Sequence, residues 1–373
     1  MNKTLSITYL LSLMALCGAQ NNQIASSDLI DPTLNELQNE FLNNQAEALL
    51  NQANEVFSKH PPGWPEPEAR QSALLLLDGV FHDVYAPSRP PVQDFFKTRI
   101  NKAVDEIEQA EILHGARIWK LYNHGFVVRT NSVTIGFDLV SGISSGIQDF
   151  PITDEEMSRL INQCDVLFVS HYHGDHSEEW IAQSFIDQKK PVVAPPEVWK
   201  NKSIYAHITH LEREPHIKQT LSIQNGQQKL KLVVYPGHQG VYIENNVYLV
   251  FTPEGLSFSQ MGDQSNNDDF EWIDEVGNNH VVDVLMPNCW TTDIARVAKG
   301  FNPALIVTGH ENEMGHTIDH REPYWLTYQR REGSDRFGGS KDVAYKNPLI
   351  VMTWGESYHY KRKNFPDTSP HSL

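Results

Sequence analysis

Three histidines and an aspartate lie within six consecutive residues, at His171, His173, Asp175 and His176. An apolar run predicted as a strand, 166–170, precedes them, and a helix is predicted to follow. Imidazole and carboxylate groups together are ligands for zinc and neighbouring transition metals, whereas calcium and magnesium prefer oxygen ligands alone. The spacing therefore predicts a metal site at a strand end rather than a solvated polar loop.

A tight turn would divide these four side chains into two sets. We expect His171 and His173 to point one way and Asp175 and His176 the other, an arrangement that suits two adjacent ions. Zinc, manganese and iron all accept imidazole and carboxylate ligands. We therefore expect two divalent metal ions, with zinc the first choice and manganese or iron the alternatives.

The HxHxDH pattern on a strand-to-helix turn resembles the motif of the metallo-β-lactamase superfamily of hydrolases. The rest of that pattern is a lone histidine, an aspartate and another lone histidine, each after a strand. The matching residues in this sequence are His238, Asp263 and His310. The resemblance covers residues 117–357 and implies an α/β fold, an αββα sandwich with the metal site at one sheet edge.

Carried over residue by residue, the resemblance implies two metal positions that share one carboxylate. The first position would be held by His171, His173 and His238. The second position would be held by Asp175, His176 and His310. Asp263 would bridge the two ions together with a hydroxide. His316 is the alternative last ligand, although no strand directly precedes it.

Such a site predicts hydrolysis. A metal ion lowers the pKa of bound water from near 16 to about 7 and so provides a nucleophile at neutral pH. Asp175 is the expected catalytic residue because its carboxylate can accept or relay a proton. The sequence around the motif is most similar to the branch that contains sugar-phosphate lactonases and lipid phosphodiesterases. We expect cleavage of a phosphoester or of a lactone or ester bond in a small molecule or lipid.

Two other functions stay open, a non-catalytic metal-dependent binding protein and a β-lactamase-like amidohydrolase. True β-lactamases of the superfamily generally lack a bridging carboxylate such as Asp263. An RNA substrate is disfavoured because the formal net charge is −17, which repels a polyanion. The expected partner is therefore the substrate, with no nucleic acid.

Four further residues are weaker candidates for the surroundings of the site. Asp138 is predicted to orient a ligating imidazole through a hydrogen bond. His124 is predicted either to line the pocket or to be a turn residue without a role in the site. Trp290 and Trp354 are predicted to be core residues, with a pocket wall as the alternative.

The elements that must position these residues change character along the chain. Up to about residue 116, three helices are predicted, at 33–58, around 72–77 and around 96–107, with proline breaks between them. From 117 onward, short β-rich runs alternate with turns and a few helices, which predicts two sheets with helices outside. The first part is interpreted as a packing appendage, or alternatively as a cap over the substrate pocket.

The first 19 residues are interpreted as a cleaved signal peptide. Lys3 precedes an apolar run at 5–16, and small residues end at Ala19. The predicted domains are thus 1–19 signal peptide, 20–116 helical extension and 117–373 hydrolase domain. The mature chain is expected in the periplasm or outside the cell, without a transmembrane span. Lipidation at Cys17 is the alternative, and no disulfide is expected between Cys164 and Cys289.

Overall fold

The computed structural model describes residues 32–333 and 344–362. The interpreted signal peptide, 1–19, lies outside them. The chain divides into two compact units, Met1–Gln45 and Ala46–Leu373. The described part of the first unit is the beginning of helix α1, Pro32–Lys59. Everything below concerns the second unit.

Two β-sheets form the centre of this unit. The first sheet has the strand order β13-β1-β2-β3-β4-β5. Its pairs are antiparallel from β13 to β3 and parallel from β3 to β5. Its strands are β1 Ala116–Lys120, β2 Phe126–Arg129, β3 Thr134–Phe137, β4 Val166–Phe168, β5 Val192–Val193 and β13 Ser357–Tyr360.

The second sheet has the strand order β12-β11-β10-β9-β8-β7-β6. Its pairs are antiparallel from β6 to β9 and parallel from β9 to β12. Its strands are β6 Gln219–Ile223, β7 Gln228–Gln239, β8 Ile243–Phe251, β9 Ser257–Gln260, β10 Val284–Met286, β11 Leu305–Val307 and β12 Leu349–Ile350.

The sheets pack face to face because apolar residues alternate along their strands. Leu232 and Val234 of β7 join a core cluster that contains residues of both sheets, including Phe126 and Val128 of β2. Their neighbours, such as Val233, point to the other side and join a cluster that contains the helices. Period-two alternation of this kind gives each sheet one inner and one outer apolar face. The predicted αββα sandwich is confirmed.

Helices cover the outer faces. They are α2 Glu68–Phe81, α3 Pro90–Gln109, α4 Asp154–Gln163, α5 Glu179–Asp187, α6 Phe270–Ile273, α7 Val276–Asn279, α8 Ile294–Phe301 and α9 Tyr324–Arg331. Local sequence explains their starts: α3 begins with two prolines, and Thr153 and Glu156 form a capping box for α4. On the second sheet, Trp272 of α6 stacks on Tyr235 of β7 at 4.8 Å between ring centroids.

The N-terminal helices share a core with the sandwich. Phe81 of α2 stacks on Trp354, with 4.7 Å between ring centroids, and Phe96 of α3 meets Trp354 edge-on at 5.3 Å. Phe96 also contacts Tyr122, which follows β1. The residues on the two sides of the boundary expected at 116 therefore pack together. Trp354 is buried in this aromatic cluster, as predicted for a core residue.

Two sequence predictions about the whole chain can be compared with the described residues. Cys164 and Cys289 are both buried and free, which confirms that they form no disulfide. Among residues 32–333 and 344–362, no helix has the length and apolar character needed to cross a bilayer.

Candidate metal centre

The predicted ligands converge at one edge of the sandwich. Asp138 and the HxHxDH turn follow the parallel strands β3 and β4 of the first sheet. Asp263 and His310 follow the parallel strands β9 and β11 of the second sheet. Because the carboxyl ends of parallel strands lie at the same edge, loops from both sheets meet there. The chain thus places residues separated by up to 172 positions of sequence around one site.

Gly262 allows the loop that carries Asp263 to lie close to the HxHxDH turn. Gly262 has φ +53°, and a Cβ at this position would lie 2.3–2.6 Å from side-chain atoms of Asn245 and Ser170. Only glycine adopts this conformation in so narrow a space. The second sheet can therefore bring Asp263 against the HxHxDH turn of the first sheet.

The first ligand group contains His171, His173 and Asp263. His171 is fully buried and its Nε2 lies 3.6 Å from Asp263 Oδ2. The hydroxyl of Ser170 donates to Asp138, so its oxygen accepts the Nδ1 proton of His171. This hydrogen bond leaves Nε2 of His171 without a proton, as a metal ligand requires.

The second ligand group contains Asp175, His176 and His310. Nε2 of His176 lies 3.6 Å from Asp175 Oδ2, and Nε2 of His310 lies 3.5 Å from the same oxygen. Asp263 Oδ1 completes the group, at 3.3 Å from His176 Nε2 and 3.5 Å from His310 Nε2. Asp263 therefore contributes one oxygen to each group, as its predicted bridging position requires.

These separations fit metal coordination. Tetrahedral ligands at zinc–ligand distances of 2.0–2.2 Å stand roughly 3.3–3.6 Å apart. Nε2 of His171, Nε2 of His310 and Oδ1 of Asp263 are buried and have no hydrogen-bond partner within the described part of the chain. Buried polar atoms without partners are costly, and a cation between them would satisfy all three. The residues fit a pair of divalent ions.

The two groups differ electrostatically. Burial, and then the neighbouring His176, lower the pKa of His171 well below its ordinary value. Burial also lowers the pKa of His310, but Asp263 and Asp175 outweigh it and raise that pKa to about 10. The same carboxylates raise the pKa of His176 against the effect of burial. The first group therefore presents neutral imidazoles, whereas the second group must release protons when it binds a metal ion.

Asp138 orients the site, as predicted from the sequence. Its Oδ2 accepts from His176 Nδ1 at 2.8 Å, from Ser170 Oγ at 2.7 Å and from Gln260 Nε2 at 2.6 Å. Its Oδ1 accepts from the backbone N–H of Ser170. Since Nδ1 of His176 donates to Asp138, Nε2 is directed to the second ligand group.

His238 lies outside both groups. Its Nδ1 and Asp269 Oδ1 are 2.8 Å apart, and its backbone N–H also donates to Asp269. The next residue, Gln239, donates instead to Asp263 Oδ2, the oxygen that faces His171. A carboxylate on Nδ1 is typical of ligating histidines, so the assignment of His238 to the first ion stays a prediction.

His310, and not its rival His316, lies in the second group of clustered side chains. His310 is buried and belongs to the second group, whereas Nδ1 of His316 is 3.2 Å from the carbonyl of His320, outside that group. His310 has φ +72°, a strained conformation for a residue with a side chain. Its N–H donates to the carbonyl of Asn123, whose side chain also donates to Asp175. The β1–β2 loop therefore positions two ligands of the second group.

Helix α2 fastens the loop that carries His310. Asp78 accepts from the side chain of Asn312 at 3.1 Å and from the first backbone N–H groups of α9 at 2.8 and 2.9 Å. Arg321 donates to the carbonyl of Phe81 and, more weakly, to carbonyls within the loop. The N-terminal extension thus braces the second ligand group, a contact that sequence patterns alone do not indicate.

The structure corrects one prediction and adds two contacts beside the predicted ligands. The hydroxyl of Ser177 donates to the carbonyl of His173 and closes the ligand turn. Trp290 is partly exposed and meets His310 edge-on at 5.6 Å between ring centroids, so it is a site residue rather than a core residue. Glu311, which follows a ligand, is fully buried and paired with the buried Lys120.

The sequence left His124 undecided, and it did not single out Gln260. His124 is fully buried, and a third cluster joins it to His176 and Asp263. Burial lowers the pKa of His124 to about 3. Gln260, the last residue of β9, contacts both His124 and Asp138.

No protein-family profile matches the chain, and no curated protein is detectably similar to it. Solved structures with a similar fold include Igni18, a novel metallo hydrolase from the archaeon Ignicoccus hospitalis (16% identity, 66% of this chain, 99% of that chain, TM-score 0.48). CmlA, a diiron β-hydroxylase from Streptomyces venezuelae, is 12% identical over 67% of this chain and 54% of its own, with a TM-score of 0.47. A putative Zn-dependent hydrolase of the metallo-β-lactamase superfamily from Thermotoga maritima is 15% identical over 64% of this chain and 98% of its own, with a TM-score of 0.35.

Proposed function

We propose that the protein is an exported, dinuclear metal-dependent hydrolase of the metallo-β-lactamase type. Its substrate is a small molecule or lipid with a phosphoester, lactone or ester bond. The observation that carries the proposal is the position of Asp263, whose two oxygens lie 3.3–3.6 Å from histidines of both ligand groups. A single structural ion would not need two groups that share a carboxylate.

The residues around the site are suited to this chemistry. When bound, two divalent ions supply Lewis-acid activation of water and of the scissile group. Asp175 accepts a proton at its carboxylate, whose pKa lies below the ordinary value because His176 and His310 outweigh the effect of burial. His173 is only half-buried and Tyr172 beside it is exposed. The site is therefore open to solvent at His173 of the first group.

Charge favours an anionic substrate or transition state. Two divalent ions would bring four positive charges to a site that holds the carboxylates of Asp138, Asp175 and Asp263. With a bridging hydroxide these charges would balance, and negative charge that develops on a substrate oxygen beside the two ions would be stabilised in a buried site, where electrostatic interactions are stronger than in water. A phosphoester or the oxyanion of a cleaved ester fits this balance.

The test is a substrate screen with protein loaded separately with zinc, manganese and iron. We expect turnover of bis-p-nitrophenyl phosphate or of a simple lactone, and none by Asp263→Asn. Turnover of a β-lactam alone would favour the amidohydrolase alternative. Metal binding without turnover of any of the three would favour a binding protein and refute the proposal.

Export is tested separately. We expect the native protein to begin at Gln20, which mass spectrometry of the purified protein measures. An intact Met1 would contradict export through a cleaved signal, and a diacyl mass on Cys17 would establish the lipoprotein alternative.

A further inference from the structure

His124 is buried at the metal centre but belongs to neither predicted ligand set. One of its ring nitrogens lies within 4.8 Å of a ring nitrogen of His176 and a carboxylate oxygen of Asp263. The ring packs directly on the backbone before His310, since a Cβ on Gly309 would lie 2.2 Å from His124 Cδ2. Only glycine at 309 leaves room for this imidazole.

Asp138 fixes the orientation of the amide of Gln260. Nε2 of Gln260 is 2.6 Å from Asp138 Oδ2, and a carboxylate oxygen that accepts three hydrogen bonds requires the amide NH₂ there rather than the amide oxygen. The reverse orientation would place two acceptors in contact. Gln260 therefore presents N–H groups to both of its neighbours.

The same amide fixes the tautomer of His124. Nε2 of Gln260 is 3.1 Å from Nδ1 of His124. Since the amide donates, Nδ1 must accept and carries no proton, so the proton of the neutral ring is on Nε2. Nε2 is buried and has no hydrogen-bond partner among residues 32–333 and 344–362.

Asp138 thus sets two opposite tautomers. It holds the Nδ1 protons of His171, through Ser170, and of His176, so Nε2 is the nitrogen that each of these rings offers to a metal ion. Through Gln260 it leaves His124 with a proton on Nε2, which is the form that donates a hydrogen bond. A protonated Nε2 has no lone pair for a metal ion, so proximity to His176 and Asp263 does not make His124 a ligand.

We propose that His124 is a catalytic hydrogen-bond donor, whose Nε2–H binds a phosphoryl or carbonyl oxygen of the substrate beside Asp263. The inference rests on the proposed function for its substrate class. The donor is buried and fixed before substrate arrives, so it costs no reorganisation when negative charge develops on that oxygen. Loss of one such donor typically lowers kcat by about 10²–10³-fold.

The first experiment determines the tautomer in the zinc-loaded full chain. ¹⁵N NMR of histidine-labelled protein is assigned with His124→Gln. We expect the ¹⁵N chemical shifts of His124 to be those of a neutral ring protonated on Nε2, without the change that zinc coordination causes. In Gln260→Met, we expect a mixture of the two tautomers. A zinc-bound His124, or a proton on Nδ1, would overturn the proposal.

The second experiment separates a donor from a ligand and from a packing residue. Zinc content and affinity for inorganic phosphate are measured for wild type, His124→Phe and His124→Gln, with folding checked by circular dichroism. We expect unchanged zinc content, phosphate binding weakened roughly 10- to 100-fold in His124→Phe, and partial recovery in His124→Gln, whose amide can donate. Loss of zinc in His124→Phe, unchanged phosphate binding, or no phosphate binding by wild type would refute the donor role.

Different results would refute the proposed function and the donor role of His124. If wild type binds zinc and phosphate through His124 but cleaves none of the screened substrates, the donor stands and the hydrolase does not. If wild type cleaves a substrate and His124→Phe retains full kcat, the hydrolase stands and the donor does not.

Discussion

Replacing Asp175 with alanine should remove activity while leaving the fold intact. Its Oδ2 lies 3.5–3.6 Å from the Nε2 atoms of His310 and His176, so the carboxylate is a predicted ligand of the second group. The same oxygen accepts a hydrogen bond from Asn123. The substitution therefore removes a ligand and a proton acceptor together.

The expected magnitudes follow from these contacts. Removing a residue that only orients a ligand lowers metal affinity about 10–100-fold. Loss of a ligand itself should therefore lower the affinity for the second ion by at least about 100-fold. Loss of a positioned base should lower the rate by a further 10²–10⁴-fold at saturating metal. For folding, the direct loss is the hydrogen bond from Asn123, worth about 1 kcal/mol. His310 can relieve the lost charge pairing by giving up its proton.

The assay compares Asp175→Ala with Asp319→Ala. Asp319 is an acidic residue of the same loop region as His310, with a side chain 72% exposed. Both variants are assayed for hydrolysis with excess zinc, and for unfolding by urea in the metal-free form. Asp319→Ala should match wild type. If Asp175→Ala keeps more than about a tenth of the wild-type rate, the assigned role is wrong; if it unfolds, the residue is structural.

Three other outcomes are expected. Glu311→Ala should lower the free energy of unfolding in urea by about 3–5 kcal/mol, because Lys120 would keep a buried charge without a partner. The double variant Lys120→Met, Glu311→Leu should lose less stability; an equal loss would contradict this reason. Asp78→Ala should lower the affinity for the second ion about tenfold in calorimetric titration and leave the affinity for the first ion unchanged, since it releases the loop that carries His310. An equal loss of affinity for both ions would contradict a local effect of Asp78. Apparent affinity for the second ion should fall at least tenfold per pH unit below about pH 10, because His310, with a pKa of about 10, must lose its proton to bind; a flat profile between pH 7 and 9 would contradict this.

The sequence was most informative where the chemistry is contiguous. His171, His173, Asp175 and His176 share one turn, so their spacing alone predicted their division between two ligand groups. Asp263 and His310 come from distant strands and were predicted through the resemblance to a known family. The structure brings both to the turn because parallel strands of two sheets end at one edge.

Contacts between distant segments were not predictable in this way. Gln260 reaches His124 and Asp138 only because β9 of the second sheet lies opposite the first sheet. Asp78 meets Asn312 across 234 positions of sequence, and no local pattern marks either residue. Side-chain pairing of this kind depends on how the layers pack, which periodicity does not specify.

Apolar sequence does not fix where a strand ends when side chains compete for the backbone. The apolar run 349–352 continues past β12, which ends at Ile350. The carbonyl of Val351 accepts from the buried Arg70, and the N–H of Thr353 donates to Glu356. These contacts fasten α2 to the chain beyond β12 in place of further pairing.

The central claim is that one chain binds two ions through a shared Asp263, and metal stoichiometry tests it most directly. Elemental analysis and calorimetric titration of protein with saturating zinc should give two ions per chain. His310→Ala should retain one tight ion, because the first group is left intact, and Asp263→Ala should weaken both. A wild-type ratio of one or less, with no change in His310→Ala, would contradict the dinuclear site and the function proposed from it.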